Sequence, residues 1–143
     1  VATKRPSRKQ ARRDALFVLY QLEVTSRPVE MLLDDIRLTE GYAADEFTRR
    51  LVAGVLGERD DLDAVLERYS RDWPLSRIAP LERNVLRLGL YELRAGVTPS
   101  EVAIDEAVRL AKRYATDEAG ALVNGILGSI VREEGTTERR GTA

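Results

Sequence analysis

The sequence predicts an all-α fold, a compact bundle of six or seven helices. Three observations carry that expectation. Apolar residues recur at steps of three and four along nearly the whole chain, which is the period of a half-buried helix. No stretch alternates apolar and polar residues as a strand does, and the one Asn-Gly pair, Asn124-Gly125, lies inside a helical stripe. Helix start and stop signals punctuate the pattern at Ser7, Gly96, Thr98-Pro99 and Thr116. The chain has 143 residues, 43% of them hydrophobic, enough for one domain with a buried core. No internal repeat is visible.

The first helix follows Ser7, a suitable N-cap, and its stripe is Ala11, Ala15, Val18, Leu19 and Leu22. Pro28 separates a short second helix over Val29 to Leu38, and Gly41 and Tyr42 end that unit. A long third helix runs from Asp45 toward Trp73, lined by Phe47, Leu51, Val55, Leu62, Leu66 and Tyr69. Gly54 and Gly57 lie within it. Each costs about 1 kcal/mol relative to Ala, so they are expected to admit a close neighbour.

Pro74 ends that helix and Pro80 suits the first position of the next, which Gly96 ends. Val85, Leu86, Leu88, Leu90, Tyr91 and Leu93 are apolar nearly all round, the mark of a buried central helix. Glu82, Arg83 and Glu92 interrupt it and read as solvated edges or a partner-binding edge. In "VTPSEV", Thr98 reads as N-cap, Pro99 as the first helical residue and Glu101 as the reciprocal cap, with Val97 and Val102 as a hydrophobic staple. Thr116 caps a last helix with the stripe Ala119, Leu122, Val123, Ile126, Leu127 and Ile130. Gly120, Gly125 and Gly128 are expected to leave room for tight packing. The domain reading is a flexible basic arm over 1–7, a helical domain over 8–132 and a disordered polar tail over 133–143.

Composition narrows function. Cys and His are both absent, which removes thiol chemistry, the commonest general base and the commonest transition-metal ligand. No P-loop, dinucleotide fingerprint or calcium loop is present. The reading is a binding protein, not an enzyme, with no cofactor and no metal. No apolar run approaches the roughly 20 residues that span a bilayer, and no signal-peptide core precedes the first helix. A cytoplasmic location with no membrane partner fits.

The charge is uneven. Residues 1–13 hold six of the 23 Lys and Arg and no acid, leaving 17 basic against 24 acidic residues beyond them. A basic segment on an acidic body reads as a nucleic-acid arm, or as a solvated tail. Arg8 and Arg12, and Lys9 and Arg13, stand four apart, so like charges stack along one helix at its dipole-positive end. A phosphate backbone would relieve that repulsion. Tyr20 falls within about 40° of the Lys9 and Arg13 face, placed to stack on a base or to pack in the core. Lys112 and Arg113 at one helix end, with Asp117 and Glu118 at the next start, are also what helix dipoles favour. Tyr114 beside Lys112 could take a base. Asn124 inside an apolar stripe either satisfies a buried backbone group or points to a ligand, and buried satisfaction is the expectation.

Taken together, "SRKQARRDALFVLYQLE", "LERNVLRLGLYEL" and "VAIDEAVRLAKRYATDEAGALVNGILG", in that order, resemble the NusB family of transcription antitermination factors. The resemblance covers about residues 8–130. It implies two small helical bundles packed across each other. It also implies binding of boxA RNA in ribosomal and leader transcripts with NusE, a small-subunit ribosomal protein. With other Nus factors on RNA polymerase, that complex suppresses termination. By the same resemblance Arg8, Lys9, Arg12 and, less strictly, Arg13 touch RNA, and Tyr20 lies near RNA and NusE. Glu82 lies near NusE, Tyr114 at RNA, and Glu118 where an acid modulates RNA affinity. Leu122 stands where relatives carry an aromatic, and Asn124 matches a family Asn. Two alternatives remain open: the RNA-binding domain of a ribosomal-RNA methyltransferase system, and a structural homodimer.

Overall fold

The computed structural model describes residues 4–70 and 72–135. Residues 1–3 of the expected arm and 136–143 of the expected tail lie outside the described residues. Among those described there are seven α-helices and no strand, and the chain divides into two compact units, Val1–Gly57 and Glu58–Ala143.

The first unit holds α1 (Arg8–Thr25), α2 (Val29–Glu40) and α3 (Glu46–Gly57). Ser7 caps α1 as its sequence suggests: its hydroxyl accepts from the Gln10 N–H at 3.1 Å, and the Gln10 side chain accepts from the Ser7 N–H at 2.9 Å. α1 packs on α2 and α3, burying Ala11, Ala15, Leu16, Val18 and Leu19. Gly41, at φ +80°, closes α2 in the left-handed region that a side chain would resist. The Thr48 hydroxyl donates to the Ala11 carbonyl at 3.1 Å and pins α3 to α1.

One long helix was expected from Asp45 toward Trp73; the chain instead stops at Gly57 and restarts at Arg59. Gly57 makes no room for a neighbour, since a Cβ there would meet nothing within 4 Å. Glycine weakens a helix, Glu58 leaves helical geometry (φ −112°, ψ 14°), and Asp60 and Asp61 suit the dipole of a new N-terminus.

The second unit holds α4 (Arg59–Tyr69), a 3₁₀ turn (Leu75–Arg77), α5 (Pro80–Ala95), α6 (Ser100–Tyr114), α7 (Asp117–Ile130) and a π-helical turn (Val131–Gly135). α5, α6 and α7 pack on one another, and α4 lies against α5 and α7. Arg87, only 4% exposed, grips Asp63 on α4 through two bonds of 2.7 and 3.0 Å. Arg83 is bound to the backbone, donating to the Ile78 carbonyl at 2.7 Å. Glu92 is not a solvated edge: it is 2% exposed and accepts from the Thr98 hydroxyl at 2.7 Å. That bond takes Thr98 away from capping, so Pro99 occupies the N-cap without a side-chain cap, and Val97 and Val102 stay exposed. The start of the expected tail is tied down, because Tyr69 donates its hydroxyl to Glu133 at 2.6 Å. That bond pushes the Tyr69 pKa up to about 12. No helix among the described residues is long and apolar enough to cross a membrane.

Tight helix packing lies at Gly89 and, as expected, at Gly120, where a Cβ would come within 2.5 Å of the Lys112 stem. A Cβ at Gly89 would come within 2.7 Å of a Leu127 methyl and 3.1 Å of the Ala107 Cβ, whereas one at Gly125 would meet nothing within 4 Å. Gly125→Ala should therefore raise stability by about 0.5–1 kcal/mol through helix propensity. Gly89→Ala should lose that gain to overpacking, which costs about 1–3 kcal/mol. Urea unfolding of both variants beside the parent protein checks the opposite signs.

Candidate nucleic-acid interface

Because the Ser7 box starts α1 at Arg8, the basic residues occupy its first two turns in a fixed register. The four cations there meet different fates. Arg8 is exposed, and its guanidinium lies 4.0 Å from the centroid of the Phe47 ring. Lys9 is exposed to solvent. Arg12 is 6% exposed, with its guanidinium 5.4 Å from the same ring. Arg13 is held by acids. It bonds Asp14 at 3.0 Å, Glu40 at 2.6 Å and the Tyr42 hydroxyl oxygen at 3.1 Å.

That last cluster is a built network. Tyr42, 2% exposed, donates its hydroxyl to the other Asp14 oxygen at 2.7 Å. Burial, then the hydrogen bond to Asp14, raise the Tyr42 pKa well above its ordinary value. Burial works against the Arg13 charge, but the bond and charge of Asp14, with Glu40, outweigh it and raise the Arg13 pKa. The like-charge repulsion expected between Lys9 and Arg13 is thus answered within the protein.

Phe47 is brought beneath the arginines by its own helix. Asp45 accepts from the Phe47 N–H at 3.0 Å, and the neighbouring Thr48 bonds α1 at Ala11. Arg5 pairs with Asp45 at 3.6 Å. Arg5, Pro6, Arg8, Asp45, Glu46, Phe47 and Arg50 line an open cleft of about 220 Å³. The sequence pattern placed Phe47 only in a core stripe. Nothing in its spacing marked the partner, because the ring serves residues about forty positions away. Tyr20 is half-buried on α1, between the directions of Lys9 and Arg13.

The remaining candidates lie in the second unit. Lys112 and Arg113 are exposed at the end of α6, and Tyr114 is half-exposed with the Arg113 guanidinium 5.7 Å from its ring. The aliphatic stem of Lys112 lies against Gly120, where a Cβ would come within 2.5 Å of it. Thr116 caps α7 by accepting from the Ala119 N–H at 2.9 Å. Glu118 is exposed in the first turn of α7, Leu122 is half-buried, and Glu82 is half-exposed in the first turn of α5. Asn124 corrects its expectation of burial. It is exposed, because it stands off the buried line of Val123, Ile126 and Leu127.

Comparison with known proteins gives a consistent picture. The model of the NusB family matches residues 9–132. A transcription antitermination protein NusB from Rubrobacter xylanophilus is 45% identical over 122 residues, covering 85% of this chain and 87% of the relative. The structure of T. maritima NusB superposes with a TM-score of 0.81 at 38% identity, covering 91% of this chain and 94% of that one. A chain from the crystal structure of the antitermination factors NusB and NusE in complex with dsRNA superposes with a TM-score of 0.79 at 28% identity. It covers 87% of this chain and 96% of that one.

The Asp14 network sets a pH dependence. A phenol whose pKa is raised by folding contributes fully below its ordinary value near 10, and that contribution is lost as pH climbs toward the folded value. Tyr42→Phe should cost about 1.5–3 kcal/mol at neutral pH, because it removes a bond to a buried carboxylate. It should also flatten the fall in stability above pH 10. Chemical unfolding at pH 7 and pH 10.5 checks both.

Proposed function

The chain belongs to the NusB family, and from that premise we propose that it binds boxA-type RNA of ribosomal and leader transcripts together with the ribosomal protein NusE. As part of that assembly it suppresses termination by RNA polymerase, acting in the cytoplasm as a regulatory RNA-binding factor and not as an enzyme. The observation that carries the reading is Arg8 with Lys9, two exposed cations on the first turn of a firmly capped helix. They supply phosphate contacts and counterion release. Arg13, bound to Asp14, Glu40 and Tyr42, fixes the register of the helix behind them, and Arg12 lies buried beside Phe47.

Tyr20 and Tyr114 are the proposed stacking surfaces for unpaired bases, with Lys112 and Arg113 drawing in the backbone. Leu122 and Asn124 flank that second patch. Tyr20, Glu82 and Glu118 are the proposed contacts to NusE. The acidic excess outside residues 1–13 suits a basic ribosomal protein, which makes the association salt-sensitive. Relatives matched over most of their length carry the antitermination name, which favours this reading over a methyltransferase system.

Fluorescence anisotropy tests it with a boxA-type single strand, a scrambled strand and a duplex, with and without NusE, across a salt series. The single strand should bind best, and better with NusE. The Arg8→Ala/Lys9→Ala variant should bind more weakly and lower the slope of log K against log salt by about 1.4, the loss of two single-strand phosphate contacts. No preference for boxA, with the variant unchanged, would contradict the assignment.

A further inference from the structure

Arg8 and Arg13 are both held in place, by opposite means. Arg13 is fixed through its N–H donors, which go to Asp14, Glu40 and Tyr42. Arg8 is held over the Phe47 ring, its guanidinium carbon 4.0 Å from the ring centroid, and its guanidinium makes no ion pair or hydrogen bond among the described residues. The five donors of a guanidinium lie in its plane, so a ring beneath that plane takes none of them. The ring itself is anchored. Phe47 is 5% exposed, its N–H is bound by Asp45, and its neighbour Thr48 bonds the α1 backbone at Ala11.

We propose that Phe47 is a positioning residue for RNA binding: its ring holds the Arg8 guanidinium by cation–π stacking and leaves the in-plane donors to meet an RNA phosphate. A carboxylate in the same place would fix the arginine but consume the donors and add a charge that repels the ligand. An aliphatic residue would fill the space and leave the cation free to swing. The inference rests on the RNA reading of α1 given above.

The test uses the full chain with NusE and a boxA-type strand, comparing Phe47→Leu, Phe47→Tyr, Arg8→Ala and the Phe47→Leu/Arg8→Ala pair. Phe47→Leu should weaken RNA binding about two- to tenfold, the range of a cation–π contact, and Phe47→Tyr should bind as the parent does. In the Arg8→Ala background Phe47→Leu should add no further loss. Parent-like affinity for Phe47→Leu, or an equal loss with Arg8 already gone, overturns the proposal while leaving the RNA reading standing. An Arg8→Ala variant that binds as tightly as the parent overturns both. If Phe47→Leu fails to fold, the parent protein still decides by NMR. Arg8 δ protons shifted upfield by the ring, and still shifted in the RNA complex, support the stack; loss of that shift on binding overturns it.

Discussion

The carboxylate of Asp14, buried on the inner side of α1, is the constraint around which the N-terminal unit is arranged. An ionised group in that position must be paired and hydrogen-bonded or the helix cannot pack. Arg13 neutralises one oxygen and Tyr42 donates to the other, with Glu40 completing the arginine's shell. The cluster ties α1 to Glu40 at the end of α2 and to Tyr42, two residues beyond it. Rotating α1 to free Arg13 for a ligand would strand Asp14 without partners.

That requirement divides the labour among cations that look alike in the sequence. Four basic residues in two turns, at the positive end of a helix dipole and with no acid in the first turn, repel one another. Acids answer the charge of Arg13. An aromatic ring answers those of Arg8 and Arg12, which sit 4.0 and 5.4 Å from the Phe47 centroid. Lys9 stays in water. The ring under Arg8 and the water around Lys9 leave hydrogen-bond donors available, so the exposed half of the basic stripe becomes the part suited to phosphate. The repulsion in the sequence is therefore answered partly by the fold and partly by the proposed ligand.

Features whose causes are local were legible from sequence. Ser7 and Thr116 cap helices, Gly96 ends one at φ +70°, and the apolar stripes of α1 and α7 point inward, because each depends on residues three or four positions away. Features whose causes lie far along the chain were not. Thr98 carries every local sign of an N-cap, yet a buried carboxylate six residues earlier claims its hydroxyl. Arg87 carries no local sign of its partner, because Asp63 lies on α4, 24 positions earlier. Gly57 and Gly89 have the same composition-level meaning and opposite structural ones, since only Gly89 has neighbours within reach of a Cβ. At the candidate site, Arg8 and Lys9 were visible as charges. The ring under Arg8 was hidden, because a phenylalanine in an apolar stripe gives no sign of which face it turns outward.

In this arrangement α1 commits Arg13 to the fold and offers Arg8 to RNA. The most direct measurement follows the arginine Nε–Hε signals of ¹⁵N-labelled protein by NMR as a boxA-type strand and NusE are added. A large shift is expected at Arg8, with the Arg13 signal in place because its partners do not change. A shift at Arg13 with Arg8 unmoved would contradict it, and would mean that the Asp14 network opens to release the arginine that recognises RNA.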